Sequence, residues 1–281
     1  MKKLSLKSLI FWFNDKETLF SYFKRQQIGK GHKRRLFWDN GAKVLLVAHI
    51  DTVHPPKIKQ ITKETIYATG LDDRLGCALG HHIMQLINVD LLICDYEESG
   101  ATTAEFHQLK KYNFIIELDR NGTDFVDYYG LASNTFVDDF SNFTERKLGL
   151  GSYSDICSMK TKIGRINVGV GYYKDHSKDS YAVRKQIDKA LIDVVGFIKK
   201  YGNTSYQKGV KTEFTYSFGW STYSRDKLLG DELRAKDNNC CDYGEDTWVC
   251  VHCNTTIERD SFLPPICCGD DMQLYKECYR L

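Results

Sequence analysis

Between residues 43 and 202, short apolar runs alternate with stretches of helical spacing, and this constrains the fold more than any other feature of the chain. Residues 43–50 form a β-branched and leucine-rich run of strand length, and residues 65–69 a shorter one. Residues 75–86 carry Leu75, Leu79, Ile83 and Leu86 at helical spacing. Residues 90–95 and 113–118 read as buried strands, with a helix expected over residues 102–110 between them. Residues 134–146 read as a helix and 165–171 as a strand. Residues 181–201 read as a long helix with Ile187, Leu191, Val194, Val195 and Ile198 on one face. Such alternation gives a largely parallel sheet covered on both sides. The expected fold class is α/β, a three-layer sandwich with a mixed, mostly parallel sheet, plus a small C-terminal metal-stapled knob.

A chain of 281 residues can bury one large core, or one medium domain with a small appendage. A net charge of +2 makes no case for nucleic acid or an anionic membrane as the main partner. The opening MKKLSLKSLIFWF is basic then apolar, but Lys7 interrupts it and Asn14, Asp15, Lys16 and Glu17 follow at once. Without a small-residue cleavage site it reads as an amphipathic first helix rather than a secretory signal. No segment approaches the length of a membrane span, and a cytoplasmic protein is expected. After Asn203 the apolar periodicity fades. The expected organisation is a catalytic domain over residues 1–203, a linker over 204–239 with a hairpin around 213–218, and a cysteine-rich domain over 240–281.

Acidic and histidine residues recur where the expected strands end: His49 and Asp51 in VLLVAHIDTV, Asp72 in GLDDRLG, Glu97 and Glu98 in LLICDYEESG, Asp119 in FIIELDR, and His176 in VGVGYYKDHS. In parallel sheets, ligands bind outside the carboxyl ends of the strands. His49 can give an imidazole nitrogen to a metal while Asp51 holds the other ring nitrogen and fixes the tautomer. Successive residues leaving a strand point in different directions, so one of Glu97 and Glu98 can bind metal while its neighbour stays free as a base. Each segment also has a plainer reading. Asp72 and Asp73 suit a helix N-cap, Asp119 can pair with Arg120 or Lys111, and His176 can be a loop histidine.

In order and context, AHIDTV, GLDDRLG, YEESG, ELDR, GSYSD and NVGVGYYKDHS resemble the co-catalytic di-zinc exopeptidases, the clan of peptidase T, carboxypeptidase G-like enzymes and double-zinc aminopeptidases. The resemblance covers roughly residues 40–200. It implies that His49 and Asp119 hold one zinc, that Glu98 and His176 hold the other, and that Asp72 bridges them. Asp72 fits better than Asp73 because Asp-x-Lys/Arg-x-Gly is the family's spacing. Asp51 would support His49, and Glu97 would be the general base. Two Zn2+ ions, or Co2+ or Mn2+, would share a bridging water and lower its pKa, giving a hydroxide that attacks an amide carbonyl. Oxyanion stabilisation beyond the metal is unassigned, with Tyr172, Tyr173 and Ser154 as candidates by location. The lid and dimerisation domain that some relatives insert between the fourth and fifth ligands finds no room between Asp119 and His176.

Seven of the ten cysteines fall between Cys240 and Cys278, while Cys77, Cys94 and Cys157 lie in apolar segments as buried thiols. Cys250 and Cys253 in WVCVHC, with Cys267 and Cys268 in LPPICCGDDM, provide four thiolates for a tetrahedral Zn2+ or Fe site. The string resembles desulforedoxin, which implies a structural metal knob that recruits or positions a protein partner. Cys240, Cys241 and Cys278 are then spare.

His32, Lys33, Arg34 and Arg35 read as a solvated turn, and His81 and His82 as packing or surface residues. Three functions are open: an aminopeptidase or dipeptidase acting on short peptides, a zinc deacylase acting on N-acyl amino acids or small amides, and a catalytically silent binding module. The first is favoured, and silence is disfavoured because the whole constellation is present.

Overall fold

The computed structural model describes residues 2–209 in full and, beyond them, the backbone of the strands Thr247–Val249, Thr256–Glu258, Ile266–Cys267, Asp270–Asp271 and Gln273–Leu274. The chain divides into two compact units, Met1–Lys211 and Thr212–Leu281. In the second, Thr247–Val249 pairs antiparallel with both Thr256–Glu258 and Gln273–Leu274, and Ile266–Cys267 with Asp270–Asp271. The hairpin expected around 213–218 and the side chains of Cys250, Cys253, Cys267 and Cys268 lie outside the described residues.

The first unit is built on a seven-stranded sheet. Its strands are β1 (Gln27–Ile28), β2 (Arg35–Trp38), β3 (Val44–His49), β6 (Asp90–Cys94), β7 (Phe114–Arg120), β8 (Phe125–Val126) and β9 (Arg165–Gly169), in the order β1-β2-β6-β3-β7-β9-β8. The central four, β6, β3, β7 and β9, run parallel, and β2 and β8 flank them antiparallel. Every residue of β3 and β6 is buried, which is why both read as unbroken apolar runs rather than alternations. A second, four-stranded antiparallel sheet has the order β10-β11-β5-β4, from β4 (Lys57–Ile61), β5 (Thr65–Thr69), β10 (Tyr172–Tyr173) and β11 (Tyr181–Val183).

Five helices complete the unit: α1 (Leu6–Trp12), α2 (Lys16–Tyr22), α3 (Leu71–Leu86), α4 (Asn134–Thr144) and α5 (Arg184–Tyr201). Ser5 and Asp15 cap α1 and α2 through their side chains. Alternate strand residues face opposite sides of a sheet, and the core divides accordingly. Leu46, Ala48, Leu91, Ile93, Ile116 and Leu118 pack with residues of all five helices. Leu45, Val47, Leu92, Cys94 and Ile115 pack instead with Ala104, Tyr112, Tyr128, Ile156 and Met159, none of them helical by α geometry. The second face is therefore covered by irregular segments.

The reason lies where a helix was expected over residues 102–110: only a short 3-10 turn, Thr103–Phe106, forms there. The Thr103 hydroxyl accepts the Asp95 amide at 3.0 Å, Thr102 caps Ala104 and donates to Asp155, and the buried Arg35 guanidinium donates to the Phe106 carbonyl at 2.7 Å. Side-chain bonds to the backbone outcompete an α-helical ladder there. At the other correction, residues 181–183 extend as β11, pairing with β5 and β10, so the last helix starts at Arg184.

Helix α3 lies hard against β7. A Cβ on Gly76 would sit 1.9 Å from the Leu118 carbonyl oxygen and 2.3 Å from the Asp73 carboxylate. Only glycine permits that approach. No helix among the described residues is long and apolar enough to cross a membrane.

Candidate metal centre

Both sheets deliver residues to one crevice. From the large sheet come His49 at the end of β3, Glu97 and Glu98 in the turn after β6, and Asp119 near the end of β7. From the small sheet come Asp72, reached through Gly70 after β5, and His176, in the loop joining β10 to β11. Tyr96, with φ of 67°, turns the chain into the Glu97–Ser99 3-10 turn.

His49 is fully buried. Its Nδ1 lies 3.1 Å from the Asp51 carbonyl oxygen and 3.4 Å from Asp51 Oδ1. Its Nε2 faces Asp72 Oδ1 and Asp119 Oδ1, each at 3.1 Å, and Glu97 Oε2 at 3.8 Å. His176 Nε2 faces Glu98 Oε2 at 2.9 Å and the other oxygen of Asp72 at 3.4 Å. Asp72 thus stands between the two imidazoles, one oxygen toward each. The carboxylate of Asp73 is occupied elsewhere, accepting the Gly76 amide at 2.9 Å and the His49 amide at 3.3 Å.

Asp51 acts twice. Besides meeting His49, it accepts the amides of Glu97 at 3.2 Å and Glu98 at 3.1 Å, fixing the turn that carries both glutamates. Sequence reasoning found the first contact and missed the second. It also missed the grip on Asp119, whose Oδ2 takes the Ser154 hydroxyl at 2.7 Å and whose amide donates to Asn167 at 3.0 Å. Buried Glu117 and Asp155 lie in the quoted segments ELDR and GSYSD but were given no role; the strand pattern of β7 disguises Glu117 among apolar neighbours. Of the three oxyanion candidates, Tyr172 donates to the Asp119 carbonyl, Tyr173 to Gln186 and Ser154 to Asp119, so all three hydroxyls are committed.

Electrostatics follow from burying acids and imidazoles together. Burial alone would lower His49, but the Asp119, Asp51 and Asp72 carboxylates outweigh it and hold the imidazole well above its usual range. Asp72 and Glu98 raise His176 to about 11. Burial raises Asp72, yet His176 and His49 outweigh it and bring the carboxyl below its ordinary value. Burial pushes Glu97 up to about 9.

The donor set suits divalent cations. His49, Asp72 and Glu98 offer ligand atoms within 4.8 Å of one another, as do Asp72, Asp175 and His176. Glu98 Oε1 is buried without a hydrogen-bond partner, a cost that a cation would remove. His81 and His82 serve packing: His82 meets the Lys2 carbonyl at 2.9 Å, and His81 packs on Trp12, Phe23 and Trp38. The basic run is partly structural, since Arg34 forms a bidentate pair with Glu17 and lies over the Phe20 ring.

No protein-family model and no curated protein matches this chain. Solved structures do. Aminopeptidase PepT from Bacillus cereus aligns with a TM-score of 0.54 at 12% identity, over 70% of this chain and 99% of that one. This chain shares its fold with that aminopeptidase. A tripeptidase from Staphylococcus aureus gives a TM-score of 0.53 at 13% identity, over 72% of this chain and 100% of its own. The Pyrococcus horikoshii TET1 peptidase gives 0.53 at 12% identity, over 70% and 98%. At such identities the likeness is one of fold, and chemistry has to be argued from the side chains.

Proposed function

We propose that the chain is a two-metal peptidase that removes residues from the free amino end of short peptides. The observation that carries this is the position of Asp72, one oxygen toward His49 and the other toward His176. In this reading His49 and Asp119 hold one metal, Glu98 and His176 the other, and Asp72 bridges them. Bound there, the pair would supply Lewis acidity to a substrate carbonyl and acidify a water.

The protein's own contribution is orientation and proton transfer. Asp51 holds the His49 ring and, through two amides, the turn bearing Glu97. Glu97 lies beside the imidazole without taking one of the five ligand roles, so it accepts the proton from the attacking water and returns it to the leaving amine. A neighbouring dication favours its carboxylate form over the protonated form that burial alone imposes.

A cleft beside these residues is lined by Val53, His54, Gly70, Leu71, Asp72, Glu98, His176, Ser177 and Ser180. No lysine or arginine is among these lining residues, and the preference for a free amino end is taken from the likeness to a solved aminopeptidase. The test is to reload the chelated protein with Zn2+, Co2+ or Mn2+ and to assay dipeptides and tripeptides with free amines against their N-acylated counterparts. Cleavage of the free-amine set supports the proposal. Exclusive cleavage of the N-acyl set would make the protein a deacylase, and failure to bind two metals would leave a binding module. The four-cysteine zinc or iron site at Cys250, Cys253, Cys267 and Cys268 is proposed from sequence alone, and metal analysis of the full chain tests it.

A further inference from the structure

Resting on the two-metal reading, we propose that Asp175 is a further ligand of the metal held by Glu98 and His176, and that it biases this position toward Mn2+ over Zn2+. Asp175 directly precedes His176, and the two share a cluster with Asp72 in which each residue offers a ligand atom, all within 4.8 Å of one another. Asn121 donates its side-chain amide to Asp175 Oδ1 at 2.9 Å. That bond ties the His176 loop to the exit of β7, two residues beyond Asp119, and leaves Oδ2 for a cation. Lys174 and His176 both adopt positive φ, 55° and 56°, so the chain folds tightly around Asp175 rather than carrying it out to solvent. Glu98, whose Oε2 meets His176 at 2.9 Å, also carries a buried Oε1 with no hydrogen-bond partner.

The consequence is an asymmetric pair. The position at His49 has one imidazole with Asp119 and the shared Asp72. The position at His176 has one imidazole with Glu98, the shared Asp72 and now Asp175. An oxygen-rich set with more than three protein donors suits Mn2+, which accepts higher coordination, whereas Zn2+ is satisfied by four ligands in all. At the His49 position Asp73 also brings a carboxylate oxygen within 4.8 Å of His49 and Asp119, but its two oxygens already accept the Gly76 and His49 amides, so the added oxygen donor belongs to the His176 position.

The experiment is calorimetric titration of chelated full-length protein with Mn2+ and, separately, Zn2+, for the wild type, Asp175→Asn and Asp175→Ala. Asparagine keeps the oxygen that Asn121 bonds, so the loop stays anchored while the charge is lost. The expected result is two sites in the wild type, with Mn2+ affinity at one of them reduced on the order of 10–100-fold in both variants and Zn2+ affinity there reduced less. The second site stays unchanged, and circular dichroism checks that each variant is folded. Variant titrations that superimpose on a two-site wild type would overturn the role of Asp175 while leaving the two-metal reading intact. A wild type that fails to bind two ions would overturn both.

Discussion

Ser154 donates its hydroxyl to Oδ2 of Asp119 at 2.7 Å, on a different oxygen from the one that meets His49 at 3.1 Å. The carboxylate is thereby divided, one oxygen held by the protein and one turned toward the crevice. Ser154→Ala leaves Oδ2 with only the long contact to Asn167, at 3.4 Å. Metal affinity at the His49 position should fall on the order of 10–100-fold, with the His176 position unaffected. Two-site metal titration reads both values in one experiment.

Glu97→Gln should bind both metals as the wild type does and lose turnover on the order of 10²–10⁴-fold, the range for removing a general base. The relevant comparison is kcat at full metal loading. Unchanged turnover in this variant would remove Glu97 from the reaction.

Metal binding should release protons. Asp72 and Glu98 raise His176 to about 11, so below that pH the imidazole carries a proton that must leave before Nε2 can coordinate. Affinity should therefore rise with pH across the neutral range. Calorimetry in two buffers of different ionisation heat counts the protons released.

His107 should set an acid limit on stability. Both its ring nitrogens are buried without partners, and burial together with Arg35 lowers its pKa from 6.5 to about 4. Between those values the unfolded chain binds the proton and the folded one does not, so stability falls as pH falls from about 6.5 to about 4, by at most about 3 kcal/mol. The ring already packs edge-on against Phe37, at 4.6 Å between centroids. His107→Phe should keep that packing and flatten the acid limb in urea unfolding measured at several pH values.

Gly76→Ala should cost about 3 kcal/mol or more, because the new methyl would fall 1.9 Å from the Leu118 carbonyl oxygen, a backbone atom with no room to yield. Urea midpoints of the two proteins measure it. Where the variant folds at all, the shift of α3 should also disturb Asp72 and weaken metal binding.

Much of this architecture was readable in the sequence because buried strands announce themselves. β3, β6 and β7 are mostly apolar runs, broken inside β7 by Glu117, and the polar residues that follow them converge in space because parallel strands share one carboxyl edge. The Gly76 spacing after Asp72 was noted only through the family resemblance, and the close approach of backbones behind it is seen in the structure alone. The cover on the second face was not legible. Residues 102–110 read as a helix, but the Thr102 and Thr103 hydroxyls take the nearby Ala104 and Asp95 amides, and Thr102 also donates to Asp155, a partner 53 residues away. Asp175, Asn121 and Asn167 escaped, and Ser154 was marked for the oxyanion rather than for its bond to Asp119. Loop polarity has no period, and which loop meets which is decided only by the packed fold.

Because Asp72 and His176 leave the small sheet while His49, Glu98 and Asp119 leave the large one, a metal pair at this crevice would work as a clasp between the two sheets, added to the hydrogen bonds that Tyr172 and Asp175 already make across the seam. Stripping the metals would then loosen a seam rather than a core. The first amides to gain exchange should be those of β10 and β11, with β3 and β6 still closed. Catalytic competence and the rigidity of that seam would be one property, set by occupancy of the same five side chains.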